Sequence, residues 1–231
     1  MDFQTIIDFD KQLLLLLNGS ESLFLDSMVT TLTNALTWIP LYISLLILVI
    51  KNSESALKVV LVLASAGLCV LLAGTVDDTI VKPLVGRWRP TRDPEIGLLV
   101  DIVDDYRGGR FGFFSAHASN TFSIAIFFCW LVRCRLLSVA LVLWSLLNCW
   151  TRLYLGVHFP GDILVGLCWG AIVGTGVYFL YRHFAAKWTW SNVYASLAYT
   201  KTGYNRNDAD LPVCVLVFTL IYAVLRACLA I

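Results

Sequence analysis

The sequence predicts an all-α class: a polytopic membrane helix bundle of about six transmembrane helices, preceded by N-terminal interfacial helices. Three observations carry this expectation. Of the 231 residues, 58% are hydrophobic and 14% charged, against roughly 45–50% and about 25% in soluble domains. Several apolar runs approach the roughly 20 residues that cross about 30 Å of hydrocarbon as helix. None alternates with the period of a strand, and an open sheet cannot satisfy its edges in lipid. Disorder, collagen, coiled coil and a small disulfide scaffold are excluded.

Residues 1–33 mix acids with Leu, Ile and Phe at helical spacing, and Asn18-Gly19-Ser20 divides them into halves too short to span. They read as one or two helices lying in the interface. Asp2, Asp8 and Asp10 stand where a cleavable signal would need basic residues, so none is read. Six spans are expected at about 36–50, 57–76, 118–133, 136–152, 163–181 and 213–231. The first and third are short, which tilt or a thin bilayer accommodates. The domain reading is therefore interfacial helices at 1–33 and a membrane-embedded domain at 34–231. Residues 183–200, with Trp188, Trp190, Tyr194 and Tyr199, read as an aromatic interfacial segment. The seven cysteines lie in or beside apolar runs without metal-ligand spacing and read as small packing residues.

A net charge of +1 points to no nucleic acid and no acidic partner. The distribution of charge says more. The connections after the first, third and fifth spans hold Lys51, Lys58, Arg133, Arg135, Arg182, Lys187, Lys201 and Arg206. The opposite face receives the N-terminal segment and the loops 77–117 and 152–162. Those loops are also basic, with Lys82, Arg87, Arg89, Arg92, Arg107, Arg110 and Arg152. If these have chemical work they carry no topological information, and the positive-inside rule places the short basic loops in the cytoplasm.

Three stretches on that second face concentrate the polar chemistry: Lys82 to Arg89-Pro90, Phe114-Ser115-Ala116-His117, and Thr151-Arg152 through His158 to Asp162. Arg grips a phosphate bidentately and Lys acts as a point charge. Ser115 and the amides at the start of the third span would aim further donors at an anion. His158, four residues before Asp162, is a candidate nucleophile whose tautomer a carboxylate could fix. His117, on another helix, is free to be the general acid. Together they read as phosphoryl transfer through a histidine. Taken singly, each has a plainer role. Lys82, Arg89 and Arg152 could snorkel to the interface. Ser115 could simply cap its helix, and Pro160-Gly161 with Asp162 could mark a helix start. The plainer roles do not explain why three fixed spacings fall on one face in this order. Arg87, Arg92, Arg107 and Arg110 lie outside those spacings and read as loop or headgroup contacts.

These residues resemble the type 2 phosphatidic acid phosphatase superfamily, which includes the vanadium haloperoxidases. Its signature runs Lys-x6-Arg-Pro, Pro-Ser-Gly-His and Ser-Arg-x5-His-x3-Asp. The chain supplies Lys82 and Arg89-Pro90, then Ser115-Ala116-His117, then Arg152, His158 and Asp162 at matching spacing. The resemblance implies a phosphatase that needs neither metal nor cofactor and works through a phosphohistidine. In it His158 attacks phosphorus, Asp162 orients and charge-stabilises His158, and His117 protonates the leaving oxygen. Lys82, Arg89, Ser115, Ala116 and Arg152 hold the phosphate. Phe114, Ala116 and Thr151 depart from the motif's proline, glycine and serine. Alanine would be penalised if the cradle needed a positive φ, and phenylalanine lacks proline's fixed φ.

The implied function is a bacterial integral-membrane lipid phosphatase of the inner membrane, its site facing the periplasm or exterior. Compact size and the interfacial helices look similar to the undecaprenyl-diphosphate type of the family, and undecaprenyl diphosphate or phosphatidylglycerol phosphate is the first expectation for the substrate. A lipid A phosphatase, or a lipid phosphotransferase using the same histidine chemistry, is the alternative. A soluble haloperoxidase does not span a membrane. A transporter would carry its charges near the midplane in broken helices, whereas here they sit at span ends. His158 falls in a connecting loop, so its removal is expected to cost activity and little packing.

Overall fold

The computed structural model describes residues 3–188 and 198–231, and these are mainly helical, with no strand among them and one long irregular connection at 86–115. Helices α1 (Phe3–Leu17) and α2 (Leu23–Thr33) come first. They are followed by α3 (Ile39–Lys51), α4 (Ala56–Val70), the short α5 (Lys82–Val85), α6 (Ala116–Val132) and α7 (Arg135–Tyr154). Helices α8 (Pro160–Trp188) and α9 (Arg206–Leu229) complete the bundle. Residues 189–197 of the expected aromatic segment, including Trp190 and Tyr194, lie outside the described residues.

Four helical stretches are long and apolar enough to cross a membrane, at Ala56–Val85, Arg135–Tyr154, Pro160–Ala185 and Arg206–Leu229. The first and third expected spans are the short ones. Helix α3 reaches spanning length only together with α2, across a bend of 67°. Asn34 makes that bend: its backbone is extended and its side chain accepts the Leu36 N–H at 3.0 Å to start the next turn. Helix α6 stays at 17 residues. The second span runs longer than its apolar stretch suggested. It continues from α4 through two wide turns, Leu71–Thr75 and Asp77–Val81, into α5. Such i→i+5 turns concentrate at functional positions. Lys82 therefore ends a helix rather than opening a loop.

Helices α6 and α8 form the central pair. Gly166, Gly170 and Gly174 make a stripe down α8, where an added Cβ would lie 2.8, 2.7 and 2.5 Å from the carbonyls of Ser115, Ser119 and Ser123. Small residues facing small residues let two helix backbones approach closely, which is how helices associate where lipid removes the hydrophobic driving force. The same contact brings the start of α6, carrying His117, against the start of α8, carrying Asp162. Helix α2 buries Val29, Thr31 and Leu32 and packs against α7 and α9. Helix α1 is tied down by Asn18, which donates to the Tyr154 carbonyl at 2.7 Å and accepts the Asp101 N–H at 2.7 Å.

Candidate active site

The connection between α7 and α8 builds the centre of the site. Pro160 opens α8 at a position whose N–H no helix would use. Asp162, in the first turn, reaches back to accept the Phe159 N–H at 2.9 Å, the carboxylate half of a capping box. His158 is thereby held just outside the helix, 1% exposed. Its burial overturns the expectation of a loop residue with little packing role.

The His158 ring has one chemical orientation open to it. Nδ1 lies 2.9 Å from the Gly112 carbonyl, an acceptor only, so Nδ1 carries the proton. Nε2 then presents its lone pair, 3.3 Å from Arg89 Nη1. Asp162 is 3.7 Å from Nδ1, a charge contact beyond hydrogen-bond range. The backbone carbonyl, and not the carboxylate, selects the tautomer. Gly112 suits that approach, since a Cβ there would stand 3.2 Å from Asp162 Oδ2 and 3.3 Å from Arg89 Cγ. Burial holds the His158 ring well below its ordinary pKa of 6.5, and Arg89, Arg152 and Lys82 add to the shift. The imidazole is a neutral base poised at a cationic surface.

Two guanidiniums supply that surface, and neither forms an ion pair among the described residues. Arg89 donates to the Phe111 carbonyl at 3.1 Å and the Val157 carbonyl at 3.2 Å. Arg152 is 2% exposed and donates to Thr33 Oγ1 at 2.6 Å and to the Tyr106 hydroxyl at 3.0 Å. Its Nε is buried without a hydrogen-bond partner. Burial would raise the Tyr106 phenol, but Arg152 reverses this and the phenol sits below its usual value. A buried and a half-buried guanidinium, neither with a carboxylate partner among the described residues, are expensive unless an anion comes to them. The arrangement suits an anion and leaves one donor, Arg152 Nε, unused.

The other predicted residues are placed more unevenly. Lys82 is buried, with its ammonium 2.7 Å from Asp77 and 2.6 Å from Asp78. Ser115 is fully buried and caps α6 through its hydroxyl at 3.4 Å from the Ala118 N–H, while its own N–H donates to the Asp162 carbonyl at 3.1 Å. Ala116 takes an ordinary helical backbone, so the departure from glycine carries no strain. Phe114 has a positive use: its N–H donates to Asp77 Oδ1 at 3.1 Å, which a proline could not do. His117 opens onto a cavity of about 510 Å³. That cavity runs between α3, α4, α6 and α7, walled by Trp38, Tyr42, Ala66, Val70 and Ile124. Thr33, Asn120 and Asn148 give it a few polar points, and Asn120 Oδ1 is buried without a partner.

Sequence reasoning missed four neighbours. Arg87, set aside as a loop contact, donates to Asp162 Oδ1 at 2.7 Å and to Asp10 Oδ2 at 2.7 Å. Its guanidinium also lies 4.2 Å above the Phe159 ring. Asp77 carried a legible signal, an acid at the end of an apolar run, which is rarely idle in a membrane helix. Thr33 and Tyr106 carried none, because they meet Arg152 from 119 and 46 residues away.

Comparison with known proteins identifies relatives. The PAP2 superfamily model matches residues 55–188. A lipid A 4'-phosphatase of Bacteroides thetaiotaomicron is 42% identical over 182 residues, covering 78% of this chain and 80% of that protein. A lipid A 4'-phosphatase of Porphyromonas gingivalis is 32% identical over 191 residues, 79% of this chain and 77% of that one. No solved structure gives a significant match. The matched residues span every motif that meets at His158, from Lys82 to Asp162, and the chain belongs to the PAP2 superfamily.

Proposed function

We propose that the chain removes a phosphate monoester from a lipid A-type acylated glucosamine, at the extracytoplasmic face of a bacterial inner membrane. At the coarser level it is a metal-independent membrane lipid phosphatase. The observation that carries the reading is the unprotonated Nε2 of His158 facing two guanidiniums that form no ion pair among the described residues, beside the cavity at His117. Nε2 attacks phosphorus, a P–N bond forms and the P–O bond to the lipid breaks, with His117 giving its proton to the departing oxygen. Water then attacks phosphorus, His117 takes its proton, and the P–N bond breaks to release phosphate. Arg89 and Arg152 hold the equatorial oxygens, where charge accumulates in the transition state. Asp162 stabilises the charge that His158 gains.

The substrate class reverses the order expected from chain size. Both curated relatives are named lipid A 4'-phosphatase. The cavity supports the same choice: the leaving group must sit beside its proton donor, and Thr33, Asn120 and Asn148 offer hydrogen bonds that a polyprenyl chain cannot use. Its apolar walls suit acyl chains.

The test is phosphate release in EDTA by the purified protein and its His158→Ala variant, on lipid A, undecaprenyl diphosphate and phosphatidylglycerol phosphate. Release from lipid A alone, lost in the variant, is expected. Release from the other lipids but not lipid A refutes the substrate class, and activity retained by His158→Ala refutes the nucleophile. Release without an added alcohol also separates hydrolysis from phosphotransfer.

A further inference from the structure

The N-terminal helix reaches the catalytic carboxylate. We infer that Asp10 is a positioning residue for the reaction, acting through Arg87 and Asp162 to keep a net negative charge beside His158; this rests on the phosphohistidine reading above. Asp162 Oδ1 accepts from Arg87 at 2.7 Å and its Oδ2 accepts the Phe159 N–H at 2.9 Å. Asp10 Oδ2 accepts from the other arm of Arg87 at 2.7 Å and its Oδ1 accepts the Gly161 N–H at 2.7 Å. All four carboxylate oxygens act as acceptors, the pattern of two ionised groups sharing one guanidinium.

The charge count gives the arrangement its meaning. Asp162 with Arg87 alone is a neutral pair, and a neutral pair does little for the positive charge that His158 gains as Nε2 bonds to phosphorus. The cationic surface of Arg89 and Arg152 makes that charge harder still to bear. Asp10 restores one net negative charge in the group. It also fixes the guanidinium plane, which the Phe159 ring stacks against at 4.2 Å. The Gly161 amide bond places Asp10 on the same turn of α8 as Asp162. Helix α1 is held in register for this by Lys11, whose ammonium is 2.5 Å from Glu95 and 3.9 Å from Asp93. None of the three elements involved is adjacent in sequence to the others.

The experiment compares Asp10→Asn and Asp10→Glu with wild type on the lipid phosphate that wild type cleaves, with thermal unfolding in detergent as a check on folding. Asn keeps the shape and the acceptor for Gly161 but removes the charge. It is expected to lower kcat by about 10- to 100-fold, the range seen when outer partners of a site residue are lost, while KM changes little. Glu keeps the charge and should recover most of that loss. An Asp10→Asn kcat close to wild type, equal losses in both variants, or a rise in KM with kcat held would each overturn the inference. If Asp10→Asn does not fold, Asp10→Glu decides alone: a kcat near wild type supports the charge role and a large loss refutes it. A wild type that releases no phosphate, or an active His158→Ala variant, would instead refute the underlying mechanism.

Discussion

Basic side chains gather at both ends of the bundle, but the two ends use them differently. At the end formed by the loops after α3, α6 and α8, Lys51, Arg133, Arg135, Lys201 and Arg206 are exposed. Their contacts are few and solvent-facing: Lys51 pairs with Asp208 in the first turn of α9, and Arg133 lies over the Trp130 ring at 5.4 Å. Exposed pairs of this kind contribute about 0–1 kcal/mol. At the other end Lys82 and Arg152 are buried and Arg87 and Arg89 half-buried; Lys82 pairs within its own helical stretch, with Asp77 and Asp78, while Arg87, Arg89 and Arg152 meet partners from distant parts of the chain. Composition alone would count both ends as topology signals. Burial separates charges that stay in solvent from charges held in specific contacts inside the fold.

Substitutions that conserve charge sharpen this contrast most. Arg152→Lys keeps the cation, yet an ammonium cannot span Thr33 and Tyr106 while leaving a further donor for a ligand. What lysine loses is the planar fork that aims one arm at Thr33 and the other at Tyr106, and phosphate release is expected to fall by about a hundredfold or more, on the scale of losing one well-aimed donor. Steady-state kinetics on the lipid substrate check this, and near-wild-type kcat/KM would mean that the fork geometry of Arg152 is dispensable and the residue only anchors α7.

Proton binding at His158 gives the second test. Its folded pKa lies well below 6.5 because the ring is buried among Arg89, Arg152 and Lys82. The folded free enzyme thus binds fewer protons there than the unfolded chain at acid pH. The stability linked to His158 is present above pH 6.5 and is lost as pH falls below it. The acid limb of kcat/KM that reports His158 should likewise lie well below pH 6.5, and Arg152→Gln, which removes a neighbouring cation, should move it upward. A limb unmoved by that substitution would detach Arg152 from the electrostatics of the nucleophile.

The smallest effect is expected at the opposite end. Arg206→Ala should leave both phosphate release and unfolding temperature close to wild type, since surface substitutions usually fall within about 0.5 kcal/mol. A large loss of activity there would break the division between the two ends.

Much of the site was legible because its geometry is local. The interval from His158 to Asp162 is one helical turn, and a helix start at Pro160 fixes both residues whatever the rest of the chain does. The departure at Ala116 was harmless because the position is helical, and the one at Phe114 gained a use through its N–H. Arg87 was misread because its neighbours in sequence give no hint of Asp10, 77 residues away. The second span was drawn short because Asp77 and Asp78 look like a boundary, and only the wide turn that sets Asp77 against Lys82 shows otherwise.

The sequence by itself determined the solvent, the helical class, the order of spans and the pair of histidines with their arginines. These follow from composition and from spacings within a turn or two of helix, which act before any packing. Tertiary structure decided how the charges are shared: Gly112 and not Asp162 holds the His158 proton, Arg87 bridges two carboxylates, and Arg152 takes Thr33 and Tyr106. The physical reason is that a buried charge must be satisfied by whatever the fold brings within about 3 Å. That choice depends on close contacts such as the glycine stripe between α6 and α8, which no local spacing encodes.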